Sequence, residues 1–298
     1  TEGAENVAVG YDALGADTLG SHSVAIGPSA LRTQNFTTAT NAFNTAVGSF
    51  AMYANTTGIN NTAVGRSALT ANTTASNNTA LGSEALFTNS TNTSNTAIGY
   101  QALYTNTANN NTAVGSQALY ANTTGITNVS VGKNSLDANT TGDSNVAVGV
   151  HALSSNTTAD SNVAVGHKSL EDNTTGTTNV AVGFTALGNN TTASQNTAVG
   201  SSAMNANTTG ENNTALGHAA LDANTTASNN TAIGKSALDA NTTGAENTAV
   251  GKSSMVANTT GSNNVAIGVN ALDANTTASN NTAVGHKALT ENTTGVNN

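Results

Sequence analysis

The chain has 298 residues, a formal net charge of −9 and no cysteine, and only 8% of its residues are charged. Lys and Arg total seven, so the clustered cations that bind nucleic-acid phosphates are missing. Because no apolar run approaches the roughly 18 residues of a membrane span, we expect neither nucleic-acid nor membrane contact in this segment.

A 17-residue repeat occupies almost the whole chain, and residues 61–77 are a typical copy. A fixed short period indicates a solenoid in which each unit stacks on its neighbours. We therefore predict that residues 1–298 form a single β-solenoid region of about 17 coils, with an insertion near 32–44. Partial copies at both ends suggest a segment of a longer protein. The repeat glycine stands at Gly10, Gly27, Gly48, Gly65, Gly82, Gly99, Gly115, Gly132, Gly149, Gly166, Gly183, Gly200, Gly217, Gly234, Gly251, Gly268 and Gly285.

The first element of each copy is a short strand, Thr62–Val64 in the typical copy. Its side chains alternate between two faces. Copies of Val64 contain only Val, Ile or Leu, which predicts that this column faces the core, whereas Thr62 is replaced by Val in several copies. Gly65 then ends the strand, where we expect a positive φ or a close backbone approach.

The second element is predicted as another short strand at Ala68 and Leu69, because every copy has Ala or Ser followed by Leu or Met. Leu69 would supply the other core side chain. Asn72 opens the second turn, so each copy reads as strand, turn, strand, turn. This pattern predicts an all-β parallel β-solenoid with one coil per 17 residues and coils about 4.8 Å apart.

Two asparagine columns, represented by Asn61 and Asn72, recur in nearly every copy. We interpret both as structural ladders in which amide side chains bond from coil to coil. One Val, one Leu and one Ala per coil are little apolar surface for ordering 17 residues. We therefore expect additional burial against another chain, as in a closed homo-oligomer.

Residues 23–27 and 264–268 resemble the head repeat of YadA-like trimeric autotransporter adhesins, which centres on Val-Ala-Ile-Gly. The longer phrase, Asn-Thr-Ala-Val-Gly-x-x-Ala-Leu followed by Asn-Thr-Thr-Gly, is similar to repeats of bacterial and phage tail-fibre proteins. The resemblance covers residues 5–298. It implies a left-handed parallel β-roll in a homotrimer on a cell or virion surface, although the adhesin repeat is shorter than this one.

Two columns vary freely between copies and are predicted to lie outside: the residue after the repeat Gly and the residue after the repeat Leu. An aromatic stripe in the second column could stack on sugar rings, form a chain–chain contact, or be tolerated variation. The insertion would bulge outward and could also bind a partner. The candidate recognition residues are Tyr53, Phe87, Tyr104 and Tyr120 in the column, and Phe36 and Phe43 in the insertion.

These patterns predict the structural or adhesive repeat region of an extracellular trimeric fibre, from a surface adhesin or a phage tail fibre. Its partners would be its own copies and a host-cell glycan or surface protein. The alternatives are a non-adhesive filament and an ice-binding solenoid, the latter because of the Thr56–Thr57 columns. We expect no enzymatic activity, cofactor or metal, because the acidic residues are scattered and the five His occupy tolerant outer columns.

Overall fold

The computed structural model describes residues 3–298, and in that range its regular secondary structure is entirely β. The chain is a parallel β-solenoid with one coil per 17 residues, which confirms the predicted fold class. It divides into two compact units, one extending through Asn145 and the other formed by Val146–Asn298. The two units are described separately below.

In the first unit, equivalent residues of successive copies pair in parallel and in register. Ala63, for example, lies opposite Ala46 on one side and Ala80 on the other. The eight repeat strands of this unit are β1 (Val7–Val9), β3 (Val24–Ile26), β5 (Thr45–Val47), β6 (Thr62–Val64), β7 (Thr79–Leu81), β8 (Thr96–Ile98), β9 (Thr112–Val114) and β10 (Val129–Val131).

The second unit repeats the same arrangement, with Ala198 opposite Ala181 and Ala215. Its nine strands are β11 (Val146–Val148), β12 (Val163–Val165), β13 (Val180–Val182), β14 (Thr197–Val199), β15 (Thr214–Leu216), β16 (Thr231–Ile233), β17 (Thr248–Val250), β18 (Val265–Ile267) and β19 (Thr282–Val284).

The repeat strand faces the opposite way from our prediction. Ala63 is fully buried, whereas Thr62 and Val64 lie on the outer side. The predicted inward orientation of the Val64 column is therefore wrong for the single chain. The reason is space, since the interior of a typical coil also holds a leucine or methionine and two asparagine side chains, and only Ala or Ser occupies the inward strand position.

The segment around Ala68 and Leu69 is a pair of turns, not the second strand that we predicted. Ser67 and Leu69 have φ of 55° and 51°. The N–H of Ala68 donates to the carbonyl of Gly65 at 3.3 Å. Ala68 and Leu69 are both fully buried, which a strand with one face toward solvent cannot achieve with consecutive residues. The left-handed conformation turns both side chains inward.

Gly65 meets both conditions that require glycine. Its φ is 138°, and a Cβ built on it would lie 2.5 Å from the carbonyl oxygen of Gly82 in the next coil. Any larger residue would therefore clash with a neighbouring backbone as well as adopt an unfavourable φ.

Two short strands, β2 (Gly20–Ser21) ahead of the insertion and β4 (Thr40–Asn41) inside it, pair in parallel with each other. Phe36 is only 5% exposed, so the prediction that it bulges outward is wrong. Gln34, which takes the place of the turn asparagine, is fully buried and donates from Nε2 to Ser23 Oγ at 3.0 Å. Its Oε1 accepts from Asn44 Nδ2 at 2.8 Å. Gln34 therefore bonds both to Ser23 in its own coil and to Asn44 in the next coil.

Candidate functional site

The asparagine column represented by Asn72 is fully buried from Asn55 to Asn275. Asn72 Nδ2 donates to Asn55 Oδ1 at 2.7 Å and to the carbonyl of Ala75 at 3.1 Å. In the second unit this side-chain ladder is unbroken from Asn156 to Asn275. These amides are committed to coil-to-coil bonds and are inaccessible to a ligand.

The column represented by Asn61 is also buried, but it bonds mainly to backbone groups. Asn61 Oδ1 accepts from the N–H of Asn78 in the next coil at 2.9 Å, and its Nδ2 donates to the carbonyl of Ala75 at 2.8 Å. The same carbonyl therefore accepts from both asparagine columns. The amides of both columns therefore hold neighbouring coils together, but only the Asn72 column forms a regular side-chain ladder.

The outer side of each repeat strand, which we call the strand face, carries the Thr62 and Val64 columns. Every residue on this face is Thr, Val, Ile or Leu in all the repeat strands of both units. Leu81 in the first unit is 45% exposed, and Leu216 in the second is 47% exposed. Each unit therefore displays an uncharged, largely aliphatic sheet face.

The variable face comprises three columns: the residue after the repeat Gly, the residue that follows it, and the residue after the repeat Leu. In the first unit the last column contains an aromatic stack. The Phe87 and Tyr104 rings lie 5.0 Å apart with an interplanar angle of 7°, and the Tyr104 and Tyr120 rings lie 5.2 Å apart at 9°. All three side chains are half-buried. The structure thus brings together three of the six candidate recognition residues.

An amide ladder that sequence reasoning missed runs beside this aromatic stack. Gln101 Nε2 donates to Glu84 Oε2 at 2.9 Å, and Gln117 Nε2 donates to Gln101 Oε1 at 3.2 Å. The bond from Gln101 is the main cause that lowers the pKa of Glu84, and Arg66 adds to it. Burial within the stack raises the pKa of Tyr104. The signal was present in the sequence, since these residues stand three positions before each aromatic residue.

The other candidate recognition residues lie apart from the stack. Tyr53 accepts a hydrogen bond from Arg32 Nη1 at 2.6 Å and contacts the Phe50 ring edge-on at 5.7 Å. The hydrogen bond that Arg32 donates to Tyr53 is the main cause that raises the pKa of Arg32. Thr70 separates Tyr53 from Phe87 in the column. Phe43 is exposed, and its ring lies 5.0 Å from His22.

In the second unit the column after Leu contains four acidic residues and no aromatic residue. Asp222 and Asp239 stand in adjacent coils, and burial raises the pKa of both carboxyls. The negative charge of Asp239 raises the pKa of Asp222 further, against the opposing effect of His218. Within residues 3–298 no three His, Asp or Glu side chains are grouped so that they could hold a metal ion.

An open cleft of about 390 Å³ lies farther along the variable face of the second unit. Asn270, Asp273, Lys287 and Glu291 contribute to its lining, and Asn270 Nδ2 donates to Asp273 Oδ2 at 3.1 Å. Its polar, open lining lacks the convergent apolar walls that are typical of small-molecule pockets.

No protein-family model, curated protein or solved structure matches this chain. In the part of the chain that the structure describes, no helix has the length and apolar character needed to cross a membrane.

Proposed function

We propose that this chain is the repeat region of an extracellular fibre, in which three copies of a left-handed solenoid associate and display binding surfaces. The fibre would belong to a surface adhesin or a phage tail fibre. The observation that carries the proposal is the strand face, which leaves a row of Val, Ile and Leu half-buried or exposed in each unit while the asparagine amides are buried.

The chemistry of the strand face favours a second copy of the same chain as its partner. The face has no charged group in any repeat strand, so it fits another uncharged aliphatic surface. A partner chain with the same repeat offers such a surface at the same axial spacing. Three chains that turn this face toward a common axis form a closed assembly without open-ended growth.

A pair of lysine substitutions tests this proposal. Leu81→Lys and Leu216→Lys place a charge in the middle of the strand face of each unit, at positions that the single chain leaves exposed. Light scattering after gel filtration should give three times the 29.3 kDa chain mass for the parent and one chain mass for the double variant. The control is Thr74→Lys with Thr209→Lys, which adds the same charge at exposed turn positions.

Unchanged circular dichroism of both double variants would show that the coils still form. A parent chain that remains monomeric at high concentration would contradict the proposal. So would a Leu81→Lys, Leu216→Lys variant that keeps the parent mass.

An ice-binding solenoid is the second candidate, and one observation favours it. Five successive coils place Thr on the strand face, at Thr45, Thr62, Thr79, Thr96 and Thr112. The Thr56 hydroxyl, in contrast, donates to the carbonyl of Thr73 at 3.0 Å and is not available to water. Thermal hysteresis that disappears in Thr62→Lys would support ice binding over self-association.

A further inference from the structure

We propose that the aromatic stack and the amide ladder of the first unit form a binding surface for an uncharged oligosaccharide chain. The surface, called here the Tyr–Gln surface, consists of Phe87, Tyr104, Tyr120, Gln101 and Gln117, together with Tyr100, the chain neighbour of Gln101. The inference rests on the proposed display function, and it adds the place and the chemical class of the ligand.

The geometry of the aromatic stack leaves ring surface available. Carbon atoms in contact are about 3.5–4 Å apart, whereas the Phe87 and Tyr104 centroids are 5.0 Å apart with nearly parallel planes. Parallel rings that touch at this centroid distance are offset, which leaves part of each ring face uncovered by its neighbour. Tyr100 is 50% exposed, so its ring adds further aromatic surface. The C–H faces of sugar rings pack on such surfaces.

Polar groups of the right kind lie beside the rings. A glutamine amide has two N–H donors and two acceptor lone pairs. Gln101 uses one donor toward Glu84 and one acceptor toward Gln117, so one of each remains. The Tyr104 and Tyr120 hydroxyls make no hydrogen bond to any other residue in 3–298. These groups can donate to and accept from sugar hydroxyls.

The charge of the Tyr–Gln surface selects a neutral ligand. From residue 66 to residue 120, the only charged side chains on the variable face are Arg66 and Glu84, which form an ion pair. A sulfated or uronic-acid polymer would find no free cation there. The surface also repeats the same pair of groups, Gln101 with Tyr104 and Gln117 with Tyr120, once per coil. This arrangement matches a linear polymer with one repeated monomer better than a peptide of varied side chains.

Substitutions that the repeat already tolerates provide the test. Tyr104→Thr introduces the residue that stands at Thr70 in the same column, and Gln101→Ser introduces the residue at Ser67. Isothermal titration of the parent with cellohexaose, chitohexaose and maltohexaose should show binding of at least one. The double variant should bind it roughly tenfold more weakly, because aromatic anchors dominate binding energy. Asn205→Thr with Ser202→Ala is the matched control on the variable face of the second unit.

Light scattering of the same samples separates this proposal from the proposed fibre. Weaker sugar binding at an unchanged oligomer mass supports the Tyr–Gln surface, whatever that mass is. Binding that is equal in the parent and in Tyr104→Thr, Gln101→Ser overturns it, and so does the absence of binding to all three hexasaccharides. A decaproline peptide that binds where the sugars do not would overturn it in favour of an extended peptide ligand.

Discussion

Removing one buried asparagine from the middle of the ladder should be among the most damaging small substitutions in this chain. Asn207 is fully buried, and its Nδ2 donates to Asn190 Oδ1 at 2.9 Å and to the Gly210 carbonyl at 3.0 Å. Its Oδ1 accepts from Asn224 Nδ2 at 2.8 Å. Asn207→Ala therefore removes three hydrogen bonds and leaves their partner atoms buried.

The expected cost follows from that count. A net contribution of about 1 kcal/mol per hydrogen bond gives about 3 kcal/mol, and the stranded polar partners act in the same direction. Asn292→Ala is the matched control, because Asn292 occupies the same column but is only half-buried. It makes one bond, from Nδ2 to the Gly295 carbonyl at 3.0 Å. We expect that substitution to cost about 1 kcal/mol or less.

Urea unfolding followed by circular dichroism measures both changes, and hydrogen exchange locates them. Because neighbouring coils stabilise each other, the Asn207 variant should exchange faster in the coils on both sides of residue 207. Equal unfolding midpoints for Asn207→Ala and Asn292→Ala would refute the reasoning, since the ladder would then contribute nothing beyond a single turn bond.

Two further predictions concern the core and pH. Leu187→Ala should lower the free energy of unfolding by about 2–5 kcal/mol because Leu187 is fully buried. Leu216→Ala should lower it by under about 1 kcal/mol in urea unfolding of the monomeric chain, because Leu216 is 47% exposed. Equal losses would mean that Leu216 points into the core and that the strand orientation described above is wrong. Burial raises the pKa of Asp222 above its unfolded value. Ionisation of Asp222 therefore lowers the free energy of unfolding. This loss of stability shrinks as the pH falls through the folded pKa toward the ordinary Asp pKa of about 3.9. Asp222→Asn should melt higher than the parent at pH 7, with the difference closing at acid pH, while a constant difference would exclude titration as the cause. Glu171→Gln, which removes an ion pair with Lys168, should not melt higher.

The repeat period was enough to predict the solenoid, but it did not predict which strand face is inside. Ranking by hydrophobicity predicted that Val64 points into the core and Ala63 points outward, whereas in the structure Ala63 points inward. The informative signal was size, since the Ala63 column accepts only Ala and Ser, whereas the Val64 column accepts Val, Ile and Leu. Ser130, the one Ser in that column, bonds to Ser135 in the same coil at 2.5 Å. A narrow interior restricts volume more strictly than polarity.

The turn that contains Leu69 was also open to prediction in part. Ala68 and Leu69 are adjacent and small or apolar in every copy, which conflicts with the two-residue period of a half-buried strand. What no pattern indicated was the repeated left-handed φ at Leu69, because leucine disfavours that region by about 1–2 kcal/mol. Burial of the Leu side chain, worth about 1.5–3 kcal/mol, offsets this cost. From Leu31 to Leu272 every Leu or Met equivalent to Leu69 is fully buried, so the offset operates along most of the chain.

A typical coil encloses two polar amides and leaves the Val, Ile or Leu of its strand partly exposed, whereas an ordinary soluble domain buries such residues first. The two functions of these columns explain the inversion. Asn72-type ladders are satisfied only when coils stack in register, because a shift would separate each donor from its acceptor. The ladders therefore fix the register in which the coils stack. Val64-type side chains contribute little to the single chain and gain their stabilisation only when another surface covers them. Selection that kept Val, Ile or Leu at every copy of an exposed position thus favours a covered strand face in the working protein.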